Sequence, residues 1–599
     1  MVTPKCTWEL MEPDEGAVRA LASALGAPEP VAKVLVNRGV DSPGNAGEFL
    51  NPSADRLHDP FLLSGMESAV ERMKRAIGAD GKVLVVGDYD VDGVSGTALL
   101  VSCLRRRGVR AQYYIPDRRT EGYGISCEVV RKAKESGYSL LAAVDSGTTA
   151  FEEARLAAEM GLDMIILDHH EPRGGAPDGA AVVNPKLADD PYPFRDLAAV
   201  GVVFKFVQAL ASASGESPAP LFEEFADVVA LGTVADLMPL LGENRILVAH
   251  GLPKIEHGKN PGIAALMSVS GFSPRRRVDT HHVSFGLAPR INAAGRVWNP
   301  RAGVELLLTP DPARAREIAG RLDEKNRERM KEEEAIMKGA AAMLERDFDA
   351  ERDRSVVLFN EKWHVGVIGI VASRIVDAYY APVIIFTASG RKEDAGDFDR
   401  GRVCIGSARS IREINICRVL EKTSDLLLDF GGHSMAAGLK IHEGAIPEFR
   451  RRLNDAISEE YGSAGFKRKL ILDGVLKLNK VSLSLVEQME AIEPCGVGNP
   501  RPVFCSQGVT VLESRTCGSG GKHLKMRVGQ GTTLAEAIGF NMASAWDAEE
   551  IYGETLDITY TLREDNYMNH RTVTLQLKDM RKSDPSDLSD LPERRRARR

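Results

Sequence analysis

Acidic side chains and histidines follow apolar segments at four places in this chain of 599 residues. They are Asp88, Asp90 and Asp92; Asp145; Asp168, His169 and His170; and Asp236. Carboxylates crowded in this way repel one another unless a cation lies between them. Hard divalent cations take oxygen ligands, and the oxygen-rich mixture of carboxylate and imidazole favours Mn²⁺ or Mg²⁺ over Zn²⁺. The pattern therefore predicts a site for two divalent ions, which can clamp a phosphoryl group during hydrolysis.

Each acidic group is predicted to stand at the end of a β-strand. The apolar runs that precede the acidic groups lie at 82–86, 140–144, 163–167 and 228–233. One further strand is predicted at 110–115. Amphipathic segments separate these runs, which is typical of a doubly wound parallel sheet. Ligands bind such a sheet at the carboxyl ends of its strands. Because Asp88, Asp90 and Asp92 are spaced two residues apart, an extended segment would point all three to one side.

A single Asp after a strand more often caps a helix or forms a turn than binds a metal. A His-His pair also usually has no function of its own, and this chain contains an example in His281-His282, which has no neighbouring set of acids. The hypothesis of a metal site rests on the combination of four acidic groups at predicted strand ends.

The bulk composition excludes several classes of protein. The net charge of −8 argues against a globally basic nucleic-acid binder, so any phosphate-binding surface must be local. The eight scattered cysteines argue against a zinc ribbon or a disulfide framework and suit a reducing cytoplasm. No apolar run has the length of a membrane span, and the first residues lack a signal-peptide core. We therefore expect a cytoplasmic protein without a membrane segment.

Other parts of the chain predict further domains. A helical stretch is expected at 17–38, and a long connecting helix at 313–346, with Asp311 as its N-cap and Pro312 at its first position. A second α/β region begins with strands near 355–359 and 381–386. Short strands at 469–472, 509–512, 556–562 and 572–577 favour a barrel of the OB-fold type. The predicted domains are 1–60 (cap), 61–260 (first α/β domain), 261–350 (linking segment with the long helix), 351–462 (second α/β domain), 465–581 (barrel) and 582–599 (disordered tail).

Four segments, 87–93, 144–147, 168–172 and 230–236, resemble the four motifs of the DHH phosphoesterase superfamily, in the same order. Four more, 287–296, 363–374, 431–438 and 494–500, the last within the predicted barrel, resemble motifs of its bacterial single-strand-specific 5′→3′ DNA exonucleases. The resemblance covers residues from about 30 to about 580. Two departures stand out: Ser146 replaces a common Asn or Cys, and Cys495 replaces a common Phe, which affects only a local packing contact.

The resemblance implies roles for individual residues. The implied metal ligands are Asp90, Asp92, Asp145, His169 and Asp236. Asp88 and His170 are implied as a further ligand or as a proton and phosphate partner, and Asp168 as the residue that orients the histidines. The implied 5′-phosphate site is Arg118, Ser407 and Arg409, and the implied DNA contacts are Arg290, Asn292, Arg296, Gly431, Gly432 and His433. The second α/β domain is implied to be the DHH-associated domain.

The resemblance implies a single-stranded-DNA-specific 5′→3′ exonuclease that releases 5′-mononucleotides by two-metal hydrolysis with Mn²⁺ or Mg²⁺ in recombination and repair. It further implies a monomer helped by a helicase and by single-strand binding protein. One alternative is a DHH phosphatase for small substrates such as nano-RNA or cyclic dinucleotides, although short relatives of that kind lack the cap and the barrel. A more distant alternative is a non-catalytic DHH-type scaffold, against which the presence of every matched acid argues.

Overall fold

The computed structural model describes residues 6–117, 121, 124–272, 277–349, 352–389, 401–462, 465–567, 570–583 and 593–594. The chain divides into two compact units. The first, here called the acidic-cluster unit, comprises Gly47–Glu328 and Ile492–Arg501. The second, here called the barrel unit, comprises Met1–Ala46, Arg329–Ala491 and Pro502–Arg599. In the described part of the chain, no helix is both long and apolar enough to cross a membrane.

The chain begins in the barrel unit with one strand and two helices. These are β1 (Thr7–Met11), α1 (Glu15–Leu25) and α2 (Glu29–Asn37), followed by α3 (Pro43–Leu50), which runs into the other unit. The carboxylate of Asp14 accepts a hydrogen bond from the amide of Ala17 at 2.7 Å and so caps α1. The helical stretch predicted at 17–38 is therefore confirmed, as two helices.

The acidic-cluster unit is built from alternating helices and strands. In chain order they are α4 (Met66–Gly78), β2 (Lys82–Val86), α5 (Val91–Arg106), β3 (Arg110–Tyr114), α6 (Cys127–Glu135), β4 (Tyr138–Val144), α7 (Phe151–Glu159), β5 (Asp163–Leu167), β6 (Ala180–Val183), α8 (Ala199–Ala213), α9 (Ala219–Ala235), α10 (Gly242–His257), α11 (Pro261–Val269), a π-helix (His282–Leu287), α12 (Ala288–Val297) and α13 (Arg301–Leu308). The five strands form one parallel sheet in the order β3-β2-β4-β5-β6.

Both faces of this sheet are covered by helices. Val83 and Val85 of β2 pack into the same buried cluster as α4, α5 and α8. Leu84 and Val86 point to the opposite face and pack with α6 and α7. Because strands buried on both faces need apolar residues at every position, the unbroken apolar runs were readable as strands. The predicted doubly wound α/β fold is confirmed.

One predicted strand is wrong. Residues 228–233 lie in the helix α9, and Asp236 is its C-cap. The fifth strand of the sheet is instead β6, which the sequence analysis did not predict. Residues 228–233 are all buried, and a helix buried on all sides shows the same unbroken apolar run as a central strand.

A long helix, α14 (Pro312–Asp347), begins in the acidic-cluster unit and ends in the barrel unit. The side chain of Asp311 accepts a hydrogen bond from the amide of Ala313 at 2.9 Å. Pro312 occupies the first helical position, where its missing N–H is not needed. The predicted connecting helix at 313–346 and its N-terminal signal are confirmed.

The second α/β region contains one mixed sheet. Its elements are β7 (Val356–Phe359), α15 (Val365–Tyr379), β8 (Val383–Ala388), β9 (Val403–Arg409), α16 (Ile416–Glu421), β10 (Leu427–His433), β11 (Ala436–His442) and α17 (Ile446–Tyr461). The strand order is β10-β11-β9-β8-β7, with only β7 and β8 parallel. Helix α15 packs on one face of the sheet and α17 on the other.

The C-terminal region forms a small barrel. Its elements are β12 (Lys469–Leu472), β13 (Gly474–Val475), α18 (Leu483–Glu490), β14 (Phe504–Cys517), β15 (His523–Gln530), β16 (Thr533–Gly539), β17 (Thr555–Tyr567), β18 (His570–Lys582) and β19 (Glu593–Arg594). Strand β14 pairs with both β15 and β17, which closes β14-β15-β16-β18-β17 into a barrel. The predicted OB-like barrel is confirmed.

Two details of the C-terminal prediction need correction. The strand at 469–472 exists, but as β12 it pairs with β1 in a separate three-stranded sheet, β12-β1-β19, and not in the barrel. The tail at 582–599 was predicted to be disordered, yet residues 593–594 pair with β1. Residues 584–592 and 595–599 of that tail lie outside the described residues.

Candidate metal centre

The first acidic segment forms the turn between β2 and α5. Asp90 is the N-cap of α5, and its Oδ1 accepts hydrogen bonds from the amides of Asp92 (3.0 Å) and Gly93 (3.1 Å). Glycine is required at both ends of the turn. A Cβ on Gly87 would lie 1.9 Å from the hydroxyl of Thr97, and one on Gly93 would lie 2.7 Å from the Cβ of Asp88. The glycines thus let the backbone bring three acids together.

The three acids of this turn do not lie on one extended segment, which was the premise of the sequence prediction. Asp92 lies in the first turn of α5 and not on an extended segment. Its buried carboxylate accepts hydrogen bonds from the amides of Ala199 (2.7 Å) and Val200 (2.9 Å), at the N-terminus of α8. The positive end of that helix therefore stabilises the negative charge of Asp92.

The next acid, Asp145, directly follows β4. Its backbone has a φ of 61°, in the left-handed region that Asp and Asn tolerate better than most residues. Its amide donates to the carbonyl of Leu167 at 3.0 Å, which extends the pairing of β4 with β5 by one residue. The positive φ turns the chain at the strand end and leaves the buried Asp145 carboxylate at the edge of the sheet.

Asp168 is buried and hydrogen-bonded on both oxygens. Its Oδ2 accepts from the amide (2.9 Å) and hydroxyl (2.6 Å) of Thr148, and its Oδ1 accepts from the amides of His169 (2.8 Å) and His170 (3.2 Å). The Nδ1 atom of His170 also lies 2.8 Å from Oδ1 of Asp168. This geometry fits the predicted role of Asp168 as the residue that orients the histidines.

The candidate ligands meet around His169. Its Nε2 atom lies 3.3 Å from Oδ1 of Asp145, 3.5 Å from Oδ2 of Asp236 and 3.8 Å from Oδ2 of Asp92. Three groups of potential ligand atoms, each within 4.8 Å of one another, can be drawn: Asp145, His169 and His170; Asp92, His169 and Asp236; and Asp88, Asp90 and Asp145. Asp145 and His169 are each shared by two groups, so the groups are adjacent.

The carboxylates of the cluster are destabilised in the absence of a cation. Burial, and next the charge of Asp90, raise the pKa of Asp92 to about 7. Burial, and then Asp92 and Asp90, raise the pKa of Asp236 to about 8. The pKa of Asp145 is also raised well above its usual range, by burial first and then by the neighbouring acids. Such a donor set gains most from a divalent cation and fits Mn²⁺ or Mg²⁺.

The two histidines differ in charge. Burial, followed by the charge of His170, lowers the pKa of His169 to about 3, so its ring is neutral and able to bind a metal. For His170, burial lowers the pKa, but the hydrogen bond to Asp168 and the charges of Asp168, Asp236 and Asp90 together outweigh it and raise the pKa to about 9. In return, His170 keeps the pKa of Asp168 below its usual range despite the burial of that carboxyl.

The predicted DNA contacts of the 287–296 motif fall into two kinds of environment. Asn292 accepts a hydrogen bond from the amide of Val91 at 3.1 Å, immediately beside the acidic turn. Arg290 is instead held by the buried carboxylate of Asp323 at 2.9 Å and by the carbonyl of Gly286 at 2.6 Å. This ion pair gives Arg290 a structural partner within its own unit. Arg296, near the end of α12, is half-buried.

The remaining predicted residues lie in the barrel unit, except for one. Ser407 and Arg409 are on β9, where Nη1 of Arg409 lies 3.2 Å from Oγ of Ser407. Gly431, Gly432 and His433 end the edge strand β10, and the φ of Gly432 is 155°. A Cβ on Gly432 would lie 2.3 Å from the carbonyl of Ala436. Arg118, predicted for the 5′-phosphate site, lies outside the described residues.

Sequence reasoning missed one residue of the acidic site and misplaced one motif. The missed residue is Thr148, whose hydroxyl donates a hydrogen bond to Asp168. Its only sequence signal is that it directly follows the Asp145-Ser146-Gly147 turn. The motif at 494–500 was expected in the barrel, but it belongs to the acidic-cluster unit. Its buried contacts are made by Arg245, which is distant in sequence and for which no local pattern gave a signal.

The parallel sheet and the acidic cluster at its carboxyl edge define a phosphoesterase of the DHH class. Family models agree: residues 82–233 match the DHH family N-terminal domain, 353–459 the DHHA1 domain and 472–579 the RecJ OB domain.

Relatives make the assignment more specific. The chain is 35% identical to the single-stranded-DNA-specific exonuclease RecJ of Bacillus subtilis, over 97% of this chain and 71% of the relative. Two crystal structures of RecJ from Thermus thermophilus are similar to it. The Mn²⁺ complex has a TM-score of 0.81 at 29% identity, covering 97% of this chain and 80% of that chain. The Mg²⁺ complex has a TM-score of 0.76 at 27% identity, covering 97% and 79%. The chain belongs to the RecJ family.

Proposed function

We propose that this chain is a single-stranded-DNA-specific 5′→3′ exonuclease that hydrolyses phosphodiester bonds and releases 5′-mononucleotides in recombination and repair. The observation that carries the proposal is the convergence of Asp145, His169 and Asp236 with the acids of the β2–α5 turn, in a chain of the RecJ family. Mn²⁺ or Mg²⁺, the ions in the two Thermus complexes, are the proposed cofactors.

Within this proposal, Asp90, Asp92, Asp145, His169 and Asp236 hold two divalent ions, and Asp88 completes the group formed with Asp90 and Asp145. When bound, the ions supply Lewis acidity at the scissile phosphate and activate the attacking water. His169 is neutral, and its Nε2 faces three carboxylates. It therefore contributes a nitrogen ligand without adding positive charge.

His170 has a different proposed task from that of His169. Its Nδ1 is hydrogen-bonded to Asp168, and this bond together with the charges of the neighbouring aspartates keeps the ring positively charged at neutral pH. The charged ring lies at the edge of the acidic cluster, with 36% of its side chain exposed. We assign it to hold a non-bridging phosphate oxygen, where its charge offsets the negative charge that builds up during hydrolysis. Asp168 and Thr148 keep the ring in place.

The barrel unit is proposed to bind the DNA strand. Ser407 and Arg409, together with Arg118, are assigned to the 5′-phosphate, because a guanidinium and a hydroxyl suit a terminal phosphate. Gly431, Gly432 and His433 are assigned to the strand backbone, as are Asn292 and Arg296 of the acidic-cluster unit. Arg290 is assigned a structural role because Asp323 and the carbonyl of Gly286 already hold its guanidinium.

Several broader features complete the proposal. The domain boundaries of the sequence analysis, 1–60, 61–260, 261–350, 351–462, 465–581 and 582–599, are retained, with residues 492–501 reassigned to the acidic-cluster unit. The protein is proposed to act in the cytoplasm as a monomer. A helicase that supplies single strands and the single-strand binding protein are its proposed partners.

The test is digestion of a long single-stranded DNA labelled at either the 5′ or the 3′ end, with Mn²⁺ present. Immediate release of the 5′ label as a mononucleotide is expected. The matched control is Asp145→Asn, because Asn tolerates the positive φ of this position and removes only the charge. The variant should fold and be inactive. Turnover of a dinucleotide without digestion of the long strand would instead indicate a small-substrate phosphatase.

A further inference from the structure

Residues 492–501, here called the inserted segment, belong to the acidic-cluster unit, although the chain on either side of them belongs to the barrel unit. The segment contains the Gly- and Pro-rich motif at 494–500. None of its residues is a candidate metal ligand or phosphate contact. The proposed function therefore assigns no role to the motif.

Arg245 of α10 anchors the inserted segment. Its side chain is buried, and its guanidinium donates hydrogen bonds to the carbonyls of Ile492 (2.9 Å), Glu493 (2.9 Å) and Phe49 (2.8 Å). The guanidinium also lies over the ring of Phe49, 3.8 Å from its centroid. Burial lowers the pKa of Arg245 to about 10, so it stays charged at neutral pH. A buried guanidinium spread over several backbone carbonyls fixes the path of the chain.

Asn499 closes the segment on itself. This fully buried side chain donates two hydrogen bonds, each of 2.9 Å, to the carbonyls of Ile492 and Pro494. The backbones of Gly496 and Asn499 also pair in both directions, at 2.8 Å and 3.2 Å. The segment is thus a compact, internally bonded loop and not a loose connection.

The closed loop contacts the residues that directly follow Asp236. The amide of Leu240 donates to the carbonyl of Val497 at 2.8 Å. A Cβ on Gly498, whose φ is +77°, would lie 3.2 Å from the Cβ of Pro239. Between Asp236 and this contact lies Leu237, which is 62% exposed and has a positive φ of 57°. A leucine keeps such a conformation only where its surroundings impose it.

We propose that the inserted segment, anchored by Arg245 and Asn499, positions the metal ligand Asp236 by holding residues 237–241. Asp236 is the C-cap of α9 and stands where the helix gives way to the loop, so it lacks the support of a strand end. The positions of the other acids are set by the sheet and by helix N-termini. This inference rests on the proposed metal-dependent function, in which Asp236 is a ligand.

The experiment measures Mn²⁺ affinity of the full-length protein by calorimetric titration, and exonuclease rate as a function of Mn²⁺ concentration. Two variants disturb the segment. Arg245→Lys keeps the charge but cannot reach all of the carbonyls that the guanidinium bonds, and Gly498→Ala places a Cβ against Pro239. The matched control is Arg38→Lys, a buried arginine of the barrel unit that pairs with Asp473. Melting temperatures are recorded for all proteins.

We expect Mn²⁺ to bind about 10-fold more weakly in both segment variants, the range typical of groups that support metal ligands. Saturating Mn²⁺ should restore the maximal rate, which a global folding defect would not allow. The control should bind Mn²⁺ like the wild type. If Arg245→Lys does not fold, Gly498→Ala decides.

Wild-type Mn²⁺ affinity and an unchanged half-activating Mn²⁺ concentration in folded Gly498→Ala would overturn the inference. An equal loss of affinity in Arg38→Lys would overturn it as well, since the effect would then be unspecific. Failure of the wild type itself to bind Mn²⁺ or to cleave DNA would refute the proposed function instead. The wild-type titration therefore separates the two failures.

Discussion

Asp236→Asn is expected to stabilise the metal-free protein while abolishing its nuclease activity. Burial and the charges of Asp92 and Asp90 raise the pKa of Asp236 in the folded protein to about 8. In the unfolded chain an aspartate has its ordinary pKa of about 3.9. Asparagine has the shape of the aspartate without its charge, so the substitution removes the repulsion but leaves the packing largely as it was.

The size of the effect follows from the two pKa values. Because the folded pKa is the higher one, the folded state holds a proton that the unfolded state has lost, and stability falls as the pH rises from about 4 to about 8. For a folded pKa of about 8, Asp236 lowers the free energy of unfolding by about 4 kcal/mol at pH 7 and by less than half as much at pH 5. These are upper limits, since 28% of the side chain is exposed to solvent.

Calorimetric unfolding in EDTA at pH 5 and pH 7 tests this reasoning. Asp236→Asn should unfold at a higher temperature than the wild type, with the larger difference at pH 7. Asp178→Asn, at an exposed position of the same unit, is the control and should change little. Adding Mn²⁺ should stabilise the wild type more than Asp236→Asn. An Asp236→Asn protein that is no more stable than the wild type in EDTA at pH 7 would refute the account of a repulsive, metal-free cluster.

Three further predictions concern single positions. Asp168→Asn should lower kcat about 10- to 100-fold at saturating Mn²⁺, because an amide has one acceptor oxygen and cannot accept at once from Thr148 and from the amides of His169 and His170; an unchanged kcat would contradict the orienting role. Arg290→Met should lower the free energy of unfolding by about 2 kcal/mol, since it leaves the buried carboxylate of Asp323 with Arg327 as its remaining arginine partner; weaker DNA binding at unchanged stability would argue for a DNA contact instead. Gly369→Ala would place a Cβ 2.9 Å from the hydroxyl of the proposed 5′-phosphate site, and should raise KM about 10-fold, or about 1.4 kcal/mol, for 5′-phosphorylated strands only; an equal rise for 5′-hydroxyl strands would speak against that assignment.

Most of the fold could be predicted from the sequence because the pattern of apolar residues follows which faces of each element are buried. β2 was predicted over its full length, since a strand covered by helices on both faces is apolar at every position. The same logic failed at 228–233, where a buried helix shows an equally unbroken run. The strand β12 was recognised, but its partner β1 lies more than 450 residues away along the chain. Pairing over such distances leaves no local trace.

The candidate site was predictable in its membership but not in its geometry. The motif resemblance brought the acids and histidines together, yet a period of two could not show that α5 begins at Val91 and includes Asp92 in its first turn. The division into three ligand groups depends on the distances between ligand atoms of residues that lie far apart in the sequence. The role of Arg245 was beyond prediction for a similar reason, because its partners are backbone carbonyls, which carry no sequence signal.

The candidate ligands also have structural tasks at helix ends. Asp90 caps α5, Asp92 accepts the first amides of α8, and Asp236 ends α9. Capping favours the charged carboxylate at the two helix N-termini, where the backbone amides stabilise it. At the C-terminus of α9 no such compensation exists, because the last carbonyls are themselves negative. Of these three ligands, Asp236 is therefore the one whose charge its helix end supports least. Metal binding and apo-protein stability should accordingly oppose each other more strongly at Asp236 than at Asp90 or Asp92.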